Sequence, residues 1–257
     1  MTSMHCFLEL IRKELYLFKQ AFLSNFIDVC VMATTNTVVY GYFMSKMGLN
    51  STYGFFILIG AVSTFALFMT IGKASGMAQD IEDKKIANLL ILPIKSQAVF
   101  ASQAIAWAIG GSILSLCLIP LGKLILWNSF DLSQLSLYKF GLIFLTGNLF
   151  YGFFALWIAS WITDLRYISW LWCRVINPLF MFCGYFYTWK AVCEVSPVLG
   201  ALHLLNPLLY VLEGTKAAVL GQTGFLPFWV CFFALWGFMG LFGAHAIYRL
   251  KKRLDCV

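Results

Sequence analysis

The chain has 257 residues, of which 61% are apolar and only 11% charged, against about 45–50% and about 25% in soluble domains. That balance, with a mean hydropathy of +0.83, excludes a soluble globular protein. The net charge of +7 does not mark a nucleic-acid binder, because the basic residues stand at the ends of apolar runs and form no single polar face.

Residues 4–22 open the chain with an amphipathic helical pattern. Phe7, Ile11, Leu15, Phe18 and Phe22 fall on one face, with Glu9, Arg12, Lys13 and Lys19 largely opposite. A basic amphipathic helix that feeds an apolar run is expected to lie in the headgroup layer. Six runs then follow that are long enough to cross a bilayer, which takes about 20 apolar residues. Their expected limits are about 23–45, 54–78, 97–122, 139–162, 167–189 and 225–248. The first holds one charge, Asp28, and the fifth holds one, Arg174. An intramembrane charge left unpaired costs at least about 2.5 kcal/mol, so either Asp28 and Arg174 pair, within one subunit or across a dimer, or each snorkels to the interface or faces water.

Six crossings place both termini on one side. Counting Lys and Arg near span ends gives twelve on the side of the termini (Arg12, Lys13, Lys19, Lys73, Lys84, Lys85, Lys95, Arg166, Arg249, Lys251, Lys252, Arg253) and five opposite (Lys46, Lys123, Lys139, Lys190, Lys216). The positive-inside rule therefore predicts cytoplasmic termini. Between spans two and three, the spacing predicts a short cytoplasmic helix over residues 80–92, with Asp80 as its cap, Glu82 and Asp83 in its first turn, Lys84, Lys85 and Leu89 within it, and Pro93 at its end. Gly72-x-x-x-Gly76 just before it allows close helix approach. Between spans five and six, residues 190–216 are too long and too apolar for a plain loop, and Pro197 and Pro207 divide them into pieces too short to span. Two half-helices dipping into the outer leaflet are expected, a re-entrant segment that would serve as an outer gate.

Catalytic patterns are absent from the sequence. No G-x-x-x-x-G-K-[ST] phosphate loop occurs, since Gly122-Lys123 precedes Leu124 and Gly72-Lys73 precedes Ala74. H-E-x-x-H and G-x-S-x-G are missing too, and His5, His203 and His245 lie far apart. The eight cysteines show no C-x-x-C spacing, which leaves neither a zinc site nor a disulfide framework. The chain reads as a non-enzyme without a cofactor or metal of its own.

In this order the features resemble the membrane subunit of type-2 ABC exporters, the permeases for drugs, nodulation factors and polysaccharides. The likeness rests on Ile11-Arg-Lys-Glu-Leu15, on Leu89-Leu-Ile-Leu-Pro-Ile94, on Asn177-Pro-Leu179 through Phe182-Cys-Gly-Tyr-Phe186, and most specifically on Leu205-Asn-Pro-Leu-Leu-Tyr-Val-Leu-Glu-Gly214. The resemblance implies an all-α polytopic fold in a bacterial inner membrane. It implies a homodimer, or a pair with a similar half, served by a cytoplasmic ATPase that binds ATP and Mg. By the same likeness residues 80–92 form the coupling helix against the ATPase, and Asn206, Pro207, Tyr210 and Glu213 belong to the outer gate. The alternative is a non-transporting scaffold or a subunit of a membrane enzyme.

Overall fold

A computed structural model describes residues 3–43, 46–47, 53–83, 85–90, 94–126, 132–162 and 166–254. Among these the chain is helical throughout, without strands. Helix α1 covers Ser3–Gln20. Helix α2 (Phe22–Thr37) widens into a π-helix, π1 (Val38–Phe43). Then come α3 (Tyr53–Glu82), α4 (Lys85–Leu90), α5 (Ser96–Ile125) and α6 (Leu137–Trp161). The following segment joins α7 (Tyr167–Leu171), π2 (Trp172–Ile176) and α8 (Asn177–Met181) into one short rod. After it come α9 (Trp189–Val195), α10 (Pro197–His203), α11 (Pro207–Val219) and α12 (Phe228–Leu254).

Five of these are long and apolar enough to cross a membrane alone: α2 with π1, α3, α5, α6 and α12. Burial sorts them. The most apolar stretch of α3 is 83% buried and that of α6 72%, whereas α12 reaches 28% and α2 17%. Thus α3 and α6 form the centre, with α5 against both, while α2 and α12 are flanking elements. Apolar surface drives little association inside lipid, so close backbone approach must supply the contact. Small residues provide it: a Cβ on Gly111 of α5 would stand 2.8 Å from Ala66 Cβ of α3, and one on Gly152 of α6 would collide with the Ala104 carbonyl oxygen of α5. Several hydroxyls in the buried helices bond back to their own backbone, as Thr64 does to Gly60 O at 2.9 Å and Ser102 to Val99 O at 2.7 Å, whereas Ser115 of α5 and Tyr151 of α6 are buried without a hydrogen-bond partner among the described residues.

Contacts between helix ends fix the course of the chain. Tyr40 and Tyr53 rings lie 6.4 Å apart, joining the end of α2 to the start of α3. Leu126, at the end of α5, packs with Phe55 and Leu58 of that same α3 start. Tyr53 OH donates to Phe186 O at 2.9 Å, so the segment that leaves residue 166 has climbed to the same level by residue 186. Finally Arg253, at the end of α12, donates to Ile162 O at the end of α6, 2.6 Å away. The described residues therefore hold five full-length apolar helices and one shorter segment, residues 167–181 with the turns that follow, that carries the chain between the two levels, and the end of α12 meets the end of α6.

The expected fifth span is shorter than 167–189. Its three pieces are five residues each, about 22 Å of helix at about 1.5 Å per residue. Helix stops at Met181, and turns carry the chain through Gly184, whose φ of +81° only glycine adopts without cost. The expected re-entrant segment, 190–216, also differs. Pro197 and Pro207 each start a helix, giving three helices where two were expected, with α10 and α11 bent 98° to one another. Neither Gly72 nor Gly76 has an atom within 4 Å of its Cβ position, so that pair makes no close approach inside the chain.

Replacing Gly152 with Val, which forces α5 and α6 apart, is expected to cost about 1–3 kcal/mol. Thermal unfolding in detergent reads this as a lowered midpoint. Gly141→Ala, with open space at its Cβ position, is the comparison and should leave the midpoint unchanged or slightly higher.

Candidate functional site

On the side where α3 begins, the backbone from Phe182 to Thr188 and from Leu220 to Pro227 is irregular, and its buried N–H and C=O groups need partners. Helix α11 supplies them. Asn206 caps it: its Oδ1 accepts from Leu208 N at 3.1 Å, and its Nδ2 donates to Leu179 O at 2.7 Å, tying the cap to α8. Pro207 follows at the first helical position, where its missing N–H costs nothing. Tyr210 OH donates to Leu204 O at 2.7 Å across the bend. Every residue of α11 from Pro207 to Val219 is buried.

Two of those buried residues are charged. Glu213 is fully enclosed, and its carboxylate accepts from Trp189 N at 2.8 Å and from Leu226 N at 3.0 Å. It thereby holds the first residue of α9 and the approach to α12 with one side chain. Lys216, one turn on, is also fully enclosed. Its Nζ donates to Gly184 O at 2.7 Å and Tyr185 O at 3.1 Å and stands 3.5 Å over the Phe56 ring of α3. The positive φ of Gly184 turns its carbonyl toward that ammonium. Lys216 is thus not an interfacial charge on the outer surface, as its position at the end of an apolar run suggested; burial among carbonyls and an aromatic face replaces water around it. Further pins surround the pair: Trp189 Nε1 donates to Gly200 O at 2.9 Å, and Tyr187 OH donates to Met181 O at 3.0 Å. Asn206, Pro207, Tyr210 and Glu213 are accordingly brought onto one helix, and Lys216, Gly184 and Tyr53 complete the arrangement. A Glu and a Lys three residues apart in an otherwise apolar helix were the signal for it.

The opposite end of α3 carries the second cluster. Asp80 is not the cap of a new helix; α3 continues to Glu82 because Met77 and Ala78 still pack in the core with Ile86 of α4. Acidic groups at a helix C-terminus meet the negative end of the dipole, and Lys85 offsets them. Its Nζ lies 2.8 Å from Asp83 Oδ2 and 3.4 Å from Asp80 Oδ1. Those two bonds, the one to Asp83 first, hold the ammonium above the usual lysine range. The new helix spans only Lys85–Leu90, with Ile86 buried and Leu89 half-buried. Lys84 and residues 91–93 lie outside the described residues. Helix α1 packs beside Lys73, where Glu14, Phe18 and Trp107 line a shared cleft, and α3 runs nine residues beyond Lys73, about 13 Å of axis, to Glu82.

Asp28 and Arg174 do not pair within the chain. Asp28 is exposed on α2, and Arg174, exposed on π2, lies 5.4 Å over Trp170, one turn back toward the side of the termini. The Trp170 face is the partner its guanidinium finds within the chain.

Glu213→Ala orphans two backbone donors and leaves Lys216 without a counter-charge. The expected loss is about 3–5 kcal/mol, measured as a lowered unfolding midpoint and reduced monodisperse yield. Glu213→Gln, which keeps one acceptor in place, is expected to fall between wild type and Ala.

A family model described as ABC-2 type transporter matches residues 5–220. A comparison with curated proteins finds no match. The matched stretch runs from the first turns of α1 to the end of α11, so it takes in the projecting end of α3 and the enclosed helix on the far side. The chain therefore belongs to the ABC-2 type transporter family: it is a multi-pass permease subunit, and an ABC ATPase partner hydrolyses the ATP.

Proposed function

We propose that this permease exports an amphipathic molecule, either a lipid, a lipid-linked glycan or a small amphiphile, outward across a bacterial inner membrane. Two copies, or one copy with a similar half, enclose the path, and both termini face the cytoplasm, as the basic residues at the span ends favour. ATP and Mg bind to the ATPase subunit, docked beneath the projecting end of α3. The observation that carries this reading is the cluster of Asp80, Asp83 and Lys85, exposed or half-exposed at the turn between α3 and α4. A turn that carries both signs of charge fits a protein cleft better than a lipid surface.

Helix α3 links that knob to the other side. It runs unbroken for 30 residues, about 45 Å, and its far end holds Tyr53 against Phe186 O and Phe56 beneath Lys216. Closure of the ATPase dimer pushes the inner end, and the outer end transmits the movement to the backbone held by α11. Asn206, Pro207, Tyr210 and Glu213 form the outer gate in this reading.

The test is co-purification of the tagged chain from its native membrane, followed by an ATPase assay. Wild type should bring down a P-loop ATPase. The triple variant Asp80→Ala, Asp83→Ala, Lys85→Ala should lose it, while still reaching the membrane in normal amount, because these side chains pack outside the core. An ATPase that stays bound to the variant would dismiss the coupling role of this turn, and no ATPase with wild type would dismiss the exporter.

A further inference from the structure

A groove of about 500 Å³ runs between π2–α8 and α10, within the size range of small-molecule sites. Arg174 stands at one end and Asn206 with His203 at the other, while Val175, Phe182, Leu199, Leu202 and Leu205 form largely apolar walls. The polar groups at the far end are already engaged. Asn206 uses both ends of its amide on Leu208 N and Leu179 O, and His203 faces Leu199 O at 2.8 Å through Nδ1 and Tyr187 OH at 3.1 Å through Nε2. Arg174 differs. Its guanidinium makes one contact, the stack on Trp170, and no carboxylate lies within ion-pair distance among the described residues. The residues lining the groove include no acid.

Depth sharpens the contrast. Arg174 is seven residues into the rod that begins at Tyr167, about 10 Å along its axis, and it sits on a π-turn, a wide turn frequent at functional sites. A cation at membrane depth, bordering an apolar groove and lacking a protein anion, attracts an anion brought by a ligand. We propose that the groove seats the transported molecule and that this molecule is an anionic amphiphile, its carboxylate or phosphate on Arg174 and its apolar part along Phe182, Leu199, Leu202 and Leu205. The proposal rests on the exporter reading above and narrows its substrate class.

The experiment uses the full chain with its co-purified ATPase in phosphatidylcholine nanodiscs, which contribute no net-negative lipid. Radiolabelled oleate and oleyl alcohol, which share one tail and differ in charge, are the probes, and ATPase rate is read in parallel. Oleate should bind about tenfold more tightly than the alcohol, the size of one charge-assisted hydrogen-bonded contact, and should raise ATPase activity. Arg174→Gln should bring the two affinities within about twofold, and Arg174→Lys should retain most of the preference. Equal affinity in wild type, a preference that survives Arg174→Gln, or no saturable binding of either probe overturns the proposal; the last assigns the groove to a second copy of the chain. Selective binding without ATPase stimulation also overturns it, since the anion is then a resident lipid. A complex that forms and hydrolyses ATP while failing these tests leaves the exporter reading intact, whereas a chain that recruits no ATPase removes that reading first.

Discussion

Backbone that leaves the helix at membrane depth must find hydrogen-bond partners inside the protein, and this constraint organises one whole side of the molecule. From Met181 to Phe228 the chain turns repeatedly, and where it is buried, as from Cys183 to Tyr185, its backbone groups must be met by the protein itself. The solution uses side chains against main chain almost throughout: Glu213 accepts two N–H groups, Lys216 donates to two carbonyls, and Asn206, Tyr210, Trp189 and Tyr53 each close one more. Two opposite charges within one turn let each be enclosed without an uncompensated field around α11. A buried charged group is normally a liability; here each is bound to the broken backbone it stabilises.

The same constraint explains the division of labour among helices. Those that only cross, α5 and α6, rely on close glycine–alanine approach, Gly111 of α5 against Ala66 of α3 and Gly152 of α6 against Ala104 of α5, and Ser102 of α5 bonds to its own turn. Helix α11 does not cross and has no lipid-facing side, so it is free to carry Glu213 and Lys216. Flanking helices α2 and α12 bury little of their apolar surface against the chain.

Much of this was readable in the sequence, and the failures have physical causes. Charge-free runs located α3, α5, α6 and α12, and a run holding only Asp28 located α2, because few long apolar stretches can do anything but cross. Asn206-Pro207 announced a helix start, since the cap and the locked φ of proline both demand it. Three features escaped. Asp80 looked like a cap, yet core packing by Met77 and Ala78 carried α3 past it, as tertiary contact overrides local preference. The fifth crossing looked 23 residues long, although Gly184 breaks it; apolarity extends through the turns because they too are buried. Lys216 counted as a surface charge because sequence position cannot tell an ammonium in water from one among carbonyls. The residues joined by the enclosed pair, Gly184, Trp189 and Leu226, are ordinary in the sequence and gain their part only through backbone atoms.

Helix α3 also behaves as a lever. A rod about 45 Å long that tilts by about 5° around its middle moves each end by about 2 Å. The Tyr53 hydroxyl sits 2.9 Å from the Phe186 carbonyl, and hydrogen bonds weaken steeply beyond about 3.2 Å. A tilt too small to disturb the packing of Ala66 against Gly111, near the pivot, is therefore large enough to part the outermost bond, which makes the far end of the rod more sensitive to motion than its centre.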